Sequence, residues 1–407
     1  MRILVVGSGG REHALAWKLS QEAEVVVSRG NPGIAREFEC ESDLDALCER
    51  FEPDLVVVGP EAPLIEGLAD RLRAKGLAVY GPGEDGARHE GSKAFSKALM
   101  ARAGVPTSVF RTFEDPSGAK RYAEERYAEG KQLVVKASGA AMGKGAILPP
   151  DLAGVLETIE DLMVRKTLGE AGATVVLEER LMGREFSLMS VCNGPEFVSL
   201  PVAQDYKRVG DGDTGPNTGG MGSVCPADWV TPELIARTEE RLVAPILRAM
   251  REAGIDYRGT LFTGAMAVDG EPYCIEYNVR FGDPEIQSIA AAIGDGFAEL
   301  LLRAARGEPL PPAPKLERCA VSVVLASAGY PGEYRKGDLI SLPTPQEDAR
   351  YFFAGVGSDG VGLLTQGGRV LAATGVGTSV AEARTAAYRA AKEVSFEGLQ
   401  YRKDIAL

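Results

Sequence analysis

Two glycine-rich segments that carry lysines, and one carboxylate–amide pair, are the parts of this sequence whose residue types could do chemistry. Lys136-Ala-Ser-Gly139-Ala-Ala-Met-Gly143-Lys144-Gly145 follows the apolar run Gln132 to Val135 and holds a lysine near each end. Such a loop can close over a triphosphate, its amides giving direction and its ammonium groups neutralising charge. It is not a Walker A loop, because Gly-Lys is followed by Gly145 and not by Ser or Thr. A solvated hairpin loop would have the same composition.

The flanks of Cys274-Ile-Glu276-Tyr-Asn278 predict a strand whose period of two puts Glu276 and Asn278 on one face. A carboxylate and an amide oxygen are hard ligands suited to a magnesium ion that holds nucleotide phosphates. Two polar residues on a solvent-facing strand would read the same way. Arg280-Phe-Gly-Asp283-Pro-Glu285 then adds a guanidinium able to fork onto phosphate or acyl phosphate oxygens. Asp283 before Pro284 also predicts a helix N-cap with proline at the first helical position.

The second glycine-rich stretch, Gln204 to Gly222, contains Asp205, Lys207, Asn217, Thr218, Gly219 and Gly220. It is too polar for a regular element, and apolar runs flank it, which predicts an ordered active-site loop. Glu178-Glu-Arg-Leu-Met-Gly183-Arg-Glu185 could offer backbone groups to an adenine and a carboxylate to a ribose, or could be an exposed strand end. Gly7-Ser-Gly9-Gly10-Arg11-Glu12 suits a phosphate at a helix N-terminus. It fails as a dinucleotide fingerprint: Glu12 replaces the third glycine, and Ser28-Arg29 lacks the acidic residue for a ribose. A plain tight turn and a phosphate or substrate loop both remain open.

These segments need a scaffold. Arg2 to Gly7 reads as a buried parallel strand before a helix, and the pattern recurs through strands near 24–27, 54–59 and 78–81 with helices near 43–51 and 64–75. That predicts an open parallel α/β domain over 1–102. Mixed strands and helices over 103–309 form a larger unit, and Leu310-Pro-Pro-Ala-Pro314 an extended connector. A small α+β domain follows over 315–407, making a multidomain α/β and α+β chain, as its 407 residues allow.

Composition narrows the chemistry. With 45 Lys plus Arg against 58 Asp plus Glu, the surface is acidic, which disfavours nucleic acid and anionic membrane as partners. Only two histidines, His13 and His89, exclude a site built on several histidines. Six scattered cysteines without C-x-x-C, and no leader-like or membrane-length apolar run, predict a cytoplasmic protein.

Taken together, these segments resemble the ATP-grasp superfamily of carboxylate–amine ligases and, within it, the phosphoribosylamine–glycine ligase family. The resemblance covers nearly the whole chain and includes Gly59-Pro-Glu-Ala-Pro-Leu64, Gly91-Ser-Lys-Ala-Phe95 and Tyr401-Arg-Lys-Asp-Ile405. It implies an N-terminal α/β domain, an ATP-grasp domain with a mobile lid at about 120–186, and ligation of glycine to 5-phosphoribosylamine through glycyl phosphate. By resemblance, Lys97 and Lys136 contact ATP phosphates, Gly143, Lys144 and Gly145 cover them, and Glu178, Leu181 and Glu185 line the adenosine pocket. Glu276 and Asn278 hold magnesium or manganese. Gly9, Gly10, Arg11, Glu12, Glu61, Asp205, Lys207, Asn217, Thr218, Gly219, Gly220 and Arg280 meet the two other substrates. Catalysis falls to Arg280, Lys144, Asp205 and Asp283, in a monomer.

Ser138, Arg180 and Tyr206 depart from the family pattern, standing where Asp, an aromatic and His are usual. The stretch Gly30 to Pro53 is short, and the strand Leu261 to Val268 lacks an acidic metal ligand. An ATP-grasp ligase or kinase that uses a different carboxylate stays open, because the ATP half alone does not define the acceptor. The presence of Glu276, Asn278, Arg280 and both loop lysines argues against a non-catalytic nucleotide binder.

Overall fold

Arg2–Gly7, apolar on both faces, is the middle strand of a five-stranded parallel sheet in the computed structural model, which describes residues 1–139, 145–344 and 346–407. Gly143 and Lys144 therefore lie outside the described residues. The strand order is Cys40–Glu41, Glu24–Arg29, Arg2–Gly7, Leu55–Val58, Val79–Tyr80. The order reverses beside Arg2–Gly7, and at such a point the carboxyl ends of the strands open a ligand crevice. The expected single helix near 64–75 is two, Glu61–Ile65 and Leu68–Ala74, parted by Gly67 at φ 75°. The break puts Glu61 in the first turn of a helix that starts at the crevice.

Phe110–Phe113, Val175–Glu179, Leu133–Ala137 and Ala146–Ile147 form an antiparallel sheet backed by helices Pro116–Ala128 and Leu152–Ile159. Tyr122, Val135, Val155, Met163 and Leu177 belong to a core of their own. A segment that buries its own apolar surface can turn about its ends at little hydrophobic cost.

A second antiparallel sheet runs Phe197–Ser199, Arg184–Asn193, Arg258–Val268, Glu271–Asn278. Its last ladder slips: Gly264 faces Glu276 while Ala265 faces Cys274, so Ile275 is the extra residue of a bulge. Bulges of this kind re-aim neighbouring side chains.

The third sheet joins Cys319–Ala326, Arg369–Gly377 and Ala349–Phe353 under helix Val380–Glu393, but it also takes in Gln204–Asp205 and Gly222–Cys225. This corrects the expectation that Gln204 to Gly222 holds no regular element. Both ends pair into the sheet, and Arg208–Gly210 pairs with Thr214–Asn217 as a hairpin. The apolar alternation on which the sequence reading relied reports burial of a strand face, whereas these short strands form because a partner offers free backbone groups. Among the described residues, no helix is long and apolar enough to cross a membrane.

Candidate active site

The three antiparallel sheets meet around a cleft of about 630 Å³, within the range of small-molecule sites. Glu61 lies in its wall, as do Lys136, Glu178, Leu181, Glu185, Asp205, Lys207, Asn217, Thr218, Gly219, Glu276, Asn278, Arg280 and Asp283. The resemblance to the family had picked out all of these.

On one side, Glu178 at the end of Val175–Glu179 ties two lysines together. Its Oε2 accepts from Lys97 Nζ at 2.8 Å and from Ser108 Oγ at 2.6 Å, and its Oε1 lies 2.9 Å from Lys136 Nζ. Burial opposes ionisation of Glu178, but Lys136 and Lys97 outweigh it and hold the carboxyl at about 2. Burial lowers the pKa of Lys97; at Lys136 the pull of Glu178 and Glu276 overcomes burial and raises it. Lys136 Nζ also donates to the carbonyl of Ile275, the bulged residue, at 3.1 Å. The bulge thus anchors the base of the lysine loop while Glu276 and Asn278 face the cleft. Burial works against the charge on Glu276, yet Lys136, Lys93, Lys207 and Arg280 keep its pKa below the ordinary value. An ionised carboxylate and an amide oxygen two residues apart fit a magnesium ion whose remaining ligands are phosphates and water. Among the described residues there is no cluster of three or more acidic, Cys or His ligands, so a cage built only from protein side chains does not fit.

On the other side, Arg280 is held between carboxylates: Nη2 donates to Glu90 Oε1 at 2.8 Å, and Nε lies 3.5 Å from Glu61. Glu90 also accepts from the amide of Val279 at 2.9 Å. Burial pushes the Glu90 pKa up, against the pull of Arg280. Lys207 Nζ donates to Glu185 at 2.7 Å, and Ser187 Oγ donates to Glu285 at 3.0 Å. Glu285 is buried with the half-buried Asp205 near it, and desolvation raises both above their ordinary values. Asp205 is therefore a carboxylate that can hold a proton near neutrality.

Gly9 to Glu12 stand behind this wall. The amide of Gly9 donates to Glu12 Oε2 at 2.6 Å, so the turn is closed by its own carboxylate. A Cβ at Gly7 or Gly59 would fall 2.3 or 2.2 Å from Glu12, which explains both glycines without a ligand. Arg11 reaches the cleft through Glu61, 3.6 Å away, and donates to the carbonyl of Phe281. Lys97 lies behind Glu178 and Lys136. Gly220 is buried, with Pro284 where its side chain would be.

Asp283 is not an N-cap. Pro284 holds that position, no side chain caps Glu285–Ala292, and the Asp283 carboxylate accepts instead from Gln287 at 2.8 Å and Arg369 at 3.0 Å. The long fork of Arg369, arriving from the C-terminal sheet, outcompetes a single backbone amide. Arg369 also donates to the carbonyls of Gly219 and Asp283. Of the departures, Ser138 Oγ accepts from the amide of Ala94 at 3.1 Å, tying the lysine loop to the start of helix Lys93–Ala103. Residue typing missed Glu90 and Arg369. Glu90 directly precedes the Gly91-Ser-Lys motif, the one local signal available; Arg369 has none.

Models of the phosphoribosylglycinamide synthetase N domain, ATP-grasp (A) domain and C domain match residues 1–90, 91–286 and 320–407. The chain is 44% identical over 418 residues to a phosphoribosylamine–glycine ligase of Rhizobium meliloti and 43% identical over 425 residues to that of Ralstonia nicotianae, covering 100% of this chain and 98% of each relative. A crystal structure of phosphoribosylamine–glycine ligase from Thermotoga maritima superposes with a TM-score of 0.87 at 37% identity, over 100% of both chains. The biotin carboxylase domain of a Hydrogenobacter thermophilus 2-oxoglutarate carboxylase, in complex with MgADP, ADP and bicarbonate, shares the fold at TM-score 0.72 and 17% identity, covering 98% of this chain and 91% of that one.

Proposed function

The chain belongs to the phosphoribosylamine–glycine ligase family, and from that premise we propose how its cleft divides the work. The protein is a ligase that joins glycine to 5-phosphoribosylamine, forming glycinamide ribonucleotide while ATP becomes ADP and phosphate, a step of purine biosynthesis. The observation that carries the assignment of sides is that two sets of residues line one cavity and adjoin at the Lys207–Glu185 pair. Glu276, Asn278 and Lys136 lie toward the lysine loop; Arg280, Asp205 and Lys207 lie toward the N-terminal crevice and the hairpin.

ATP lies along the lysine side, its phosphates near Lys97, Lys136 and the loop that includes Gly143, Lys144 and Gly145. Leu181 and Glu185 flank the adenosine. A glycine carboxylate oxygen attacks the γ-phosphorus and ADP leaves; the ribosylamine nitrogen then attacks the acyl carbon and phosphate leaves. Both steps bring anions together, and Lys136 and Arg280 screen that repulsion in place of water. Asp205 takes the proton the amine sheds as the C–N bond forms, a task that suits a half-buried carboxyl with raised proton affinity. Asn217, Thr218, Gly219 and Gly220 shape the acceptor side, with Glu61, Arg11 and the Gly9 to Glu12 turn behind it. Asp283 positions the Gly219 backbone through Arg369.

Glu276 and Asn278 would hold magnesium or manganese, whose chemistry when bound is to neutralise the phosphates being transferred. Glu276→Gln and Asn278→Ala are each expected to raise the magnesium concentration for half-maximal rate by about tenfold or more. Titration of the rate with magnesium checks this; wild-type dependence in both variants removes the assignment. On this reading the chain divides into 1–102, 103–309 with a lid at about 120–186, and 315–407, and the enzyme works as a cytoplasmic monomer.

The direct test is ADP release by purified protein with ATP and magnesium, comparing glycine plus freshly generated 5-phosphoribosylamine with each omission. Release that needs both, with the product mass appearing, is the expected result. Release indifferent to phosphoribosylamine would leave an ATP-grasp ligase for another acceptor.

A further inference from the structure

Several cations in or just behind the cleft wall already have a carboxylate. Lys97 and Lys136 sit on Glu178, Lys207 on Glu185, Arg280 on Glu90, and Arg369 on Asp283. Arg208 differs. It lies in the cleft wall, its guanidinium donates to the carbonyl of Gly215 at 2.6 Å, and among the described residues no carboxylate lies within 4.0 Å of it. Lys93, Arg180 and Arg184 also lack a carboxylate partner, but each has another place: Lys93 beside Glu276, Arg180 against Gln132, and Arg184 over the Trp229 ring at 4.3 Å. Arg208 is thus the guanidinium that the hairpin itself carries into the cleft wall, with no carboxylate within 4.0 Å among the described residues.

The hairpin that carries Arg208 is too small to hold a shape alone, and the end of the chain lashes it down. Arg402, with its side chain 1% exposed, donates through Nη1 to the carbonyl of Arg208 at 3.1 Å and to Asp213 at 2.7 Å. Its Nε and Nη2 each donate to Asp404 at 2.7 Å, and Asp404 accepts from the amide of Gly212 at 2.8 Å. The amide of Lys403 donates to Asp211 at 2.7 Å, and the amide of Ala406 donates to the phenol of Tyr206 at 2.9 Å. Arg402 also lies over the Tyr206 ring, 5.1 Å from its centroid. The motif Tyr401 to Ile405 and the departure at Tyr206 are therefore one device.

We propose that Arg208 anchors the 5-phosphate of phosphoribosylamine, and that Arg402, with the segment from Tyr401 to Ala406, is a positioning element that holds the hairpin presenting it. This rests on the ligase reading above. A phosphate dianion is bound best by a planar donor fork that need not abandon another anion first. Holding that fork still before the substrate arrives removes part of the ordering cost of binding.

The test is steady-state kinetics of the full chain, with ribose 5-phosphate as a non-reacting probe. Arg208→Ala should raise KM for phosphoribosylamine on the order of tenfold to a hundredfold, the loss of one charge-assisted hydrogen-bond set, with kcat and the Kd of ATP little changed. Inhibition by ribose 5-phosphate should weaken in parallel, and Arg208→Lys should recover part of the loss. Asp211→Asn, an exposed change on the far side of the hairpin, and Arg402→Lys should raise the same KM several-fold without moving KM for ATP, as expected for coupled neighbours. An unchanged phosphoribosylamine KM in Arg208→Ala, or equal rises for ATP and phosphoribosylamine, overturns the anchor. A lower melting temperature in Arg402→Lys with both KM values unchanged reduces Arg402 to a structural role. Failure of the wild type to ligate at all would sink the ligase reading and the anchor with it.

Discussion

Arg280→Ala is expected to lower kcat about a thousandfold, the loss of a preorganised charge at the point where charge develops, while ATP binding stays near the wild-type value. Arg280 follows directly on the strand that presents Glu276 and Asn278, so it enters the cleft beside the proposed metal ligands and opposite Asp205. Its contacts with Glu90 and Glu61 fix the plane of the guanidinium before any substrate arrives. Removing it leaves Glu90 and Glu61 repelling each other with only Arg11, 3.6 Å from Glu61, as counter-ion, and the half-buried Glu90, whose pKa desolvation already raises, should take up a proton. Stability should fall as well, by about 3 kcal/mol, since one partner of a buried pair is lost. Arg280→Lys separates the two effects: it should restore much of the stability but little of kcat, because an ammonium cannot reproduce the fork. Rapid-quench measurement of ADP formation and calorimetric ATP binding would check this. A fall in kcat below about tenfold would place Arg280 away from the reacting carboxylate.

What could be read from the sequence, and what could not, follows from the range over which each interaction acts. The strand–turn–helix at Arg2 to Leu19, the strand before the lysine loop and the facing of Glu276 and Asn278 are local patterns of period two or 3.6, and the structure has them. The bulge at Ile275 breaks that period beside Glu276, and no residue type in Cys274-Ile-Glu announces it. The pairing of Glu90 with Arg280 spans 190 positions, and that of Arg369 with Asp283 spans 86; only the fold brings such groups together. The stretch Gln204 to Gly222 shows the same limit from the other side. Its composition marked it as a functional segment, but its shape is set by a sheet whose other strands begin at Cys319. The turn at Gly7 to Glu12 was ambiguous because glycines make room equally well for a phosphate and for a neighbouring side chain, and here Glu12 occupies that room.

Glu178→Ala should destabilise the protein by about 3 to 5 kcal/mol at neutral pH, the range for breaking a buried ion pair from one side, and should raise KM for ATP at the same time. Glu178 is 4% exposed and carries two lysines that are themselves 2% and 4% exposed. Without it, two ammonium groups face each other out of water, and Lys97, already lowered by burial, is the one expected to lose its proton. The sign with pH follows from the depressed carboxyl. The stabilisation from Glu178 is fully present above its ordinary value near 4.5 and is lost as pH falls from there toward about 2. Denaturant titrations of wild type and variant should therefore differ most above pH 5 and converge in acid. Lys97→Met combined with Glu178→Gln should recover part of the lost stability, because the pair is then replaced and not merely broken. It should not recover ATP affinity, since Lys136 would still lack the carboxylate that holds it against Ile275. If Glu178→Ala alone left both stability and ATP binding intact, the two lysines would have to find other partners, and Glu178 would be no more than a wall of the cleft.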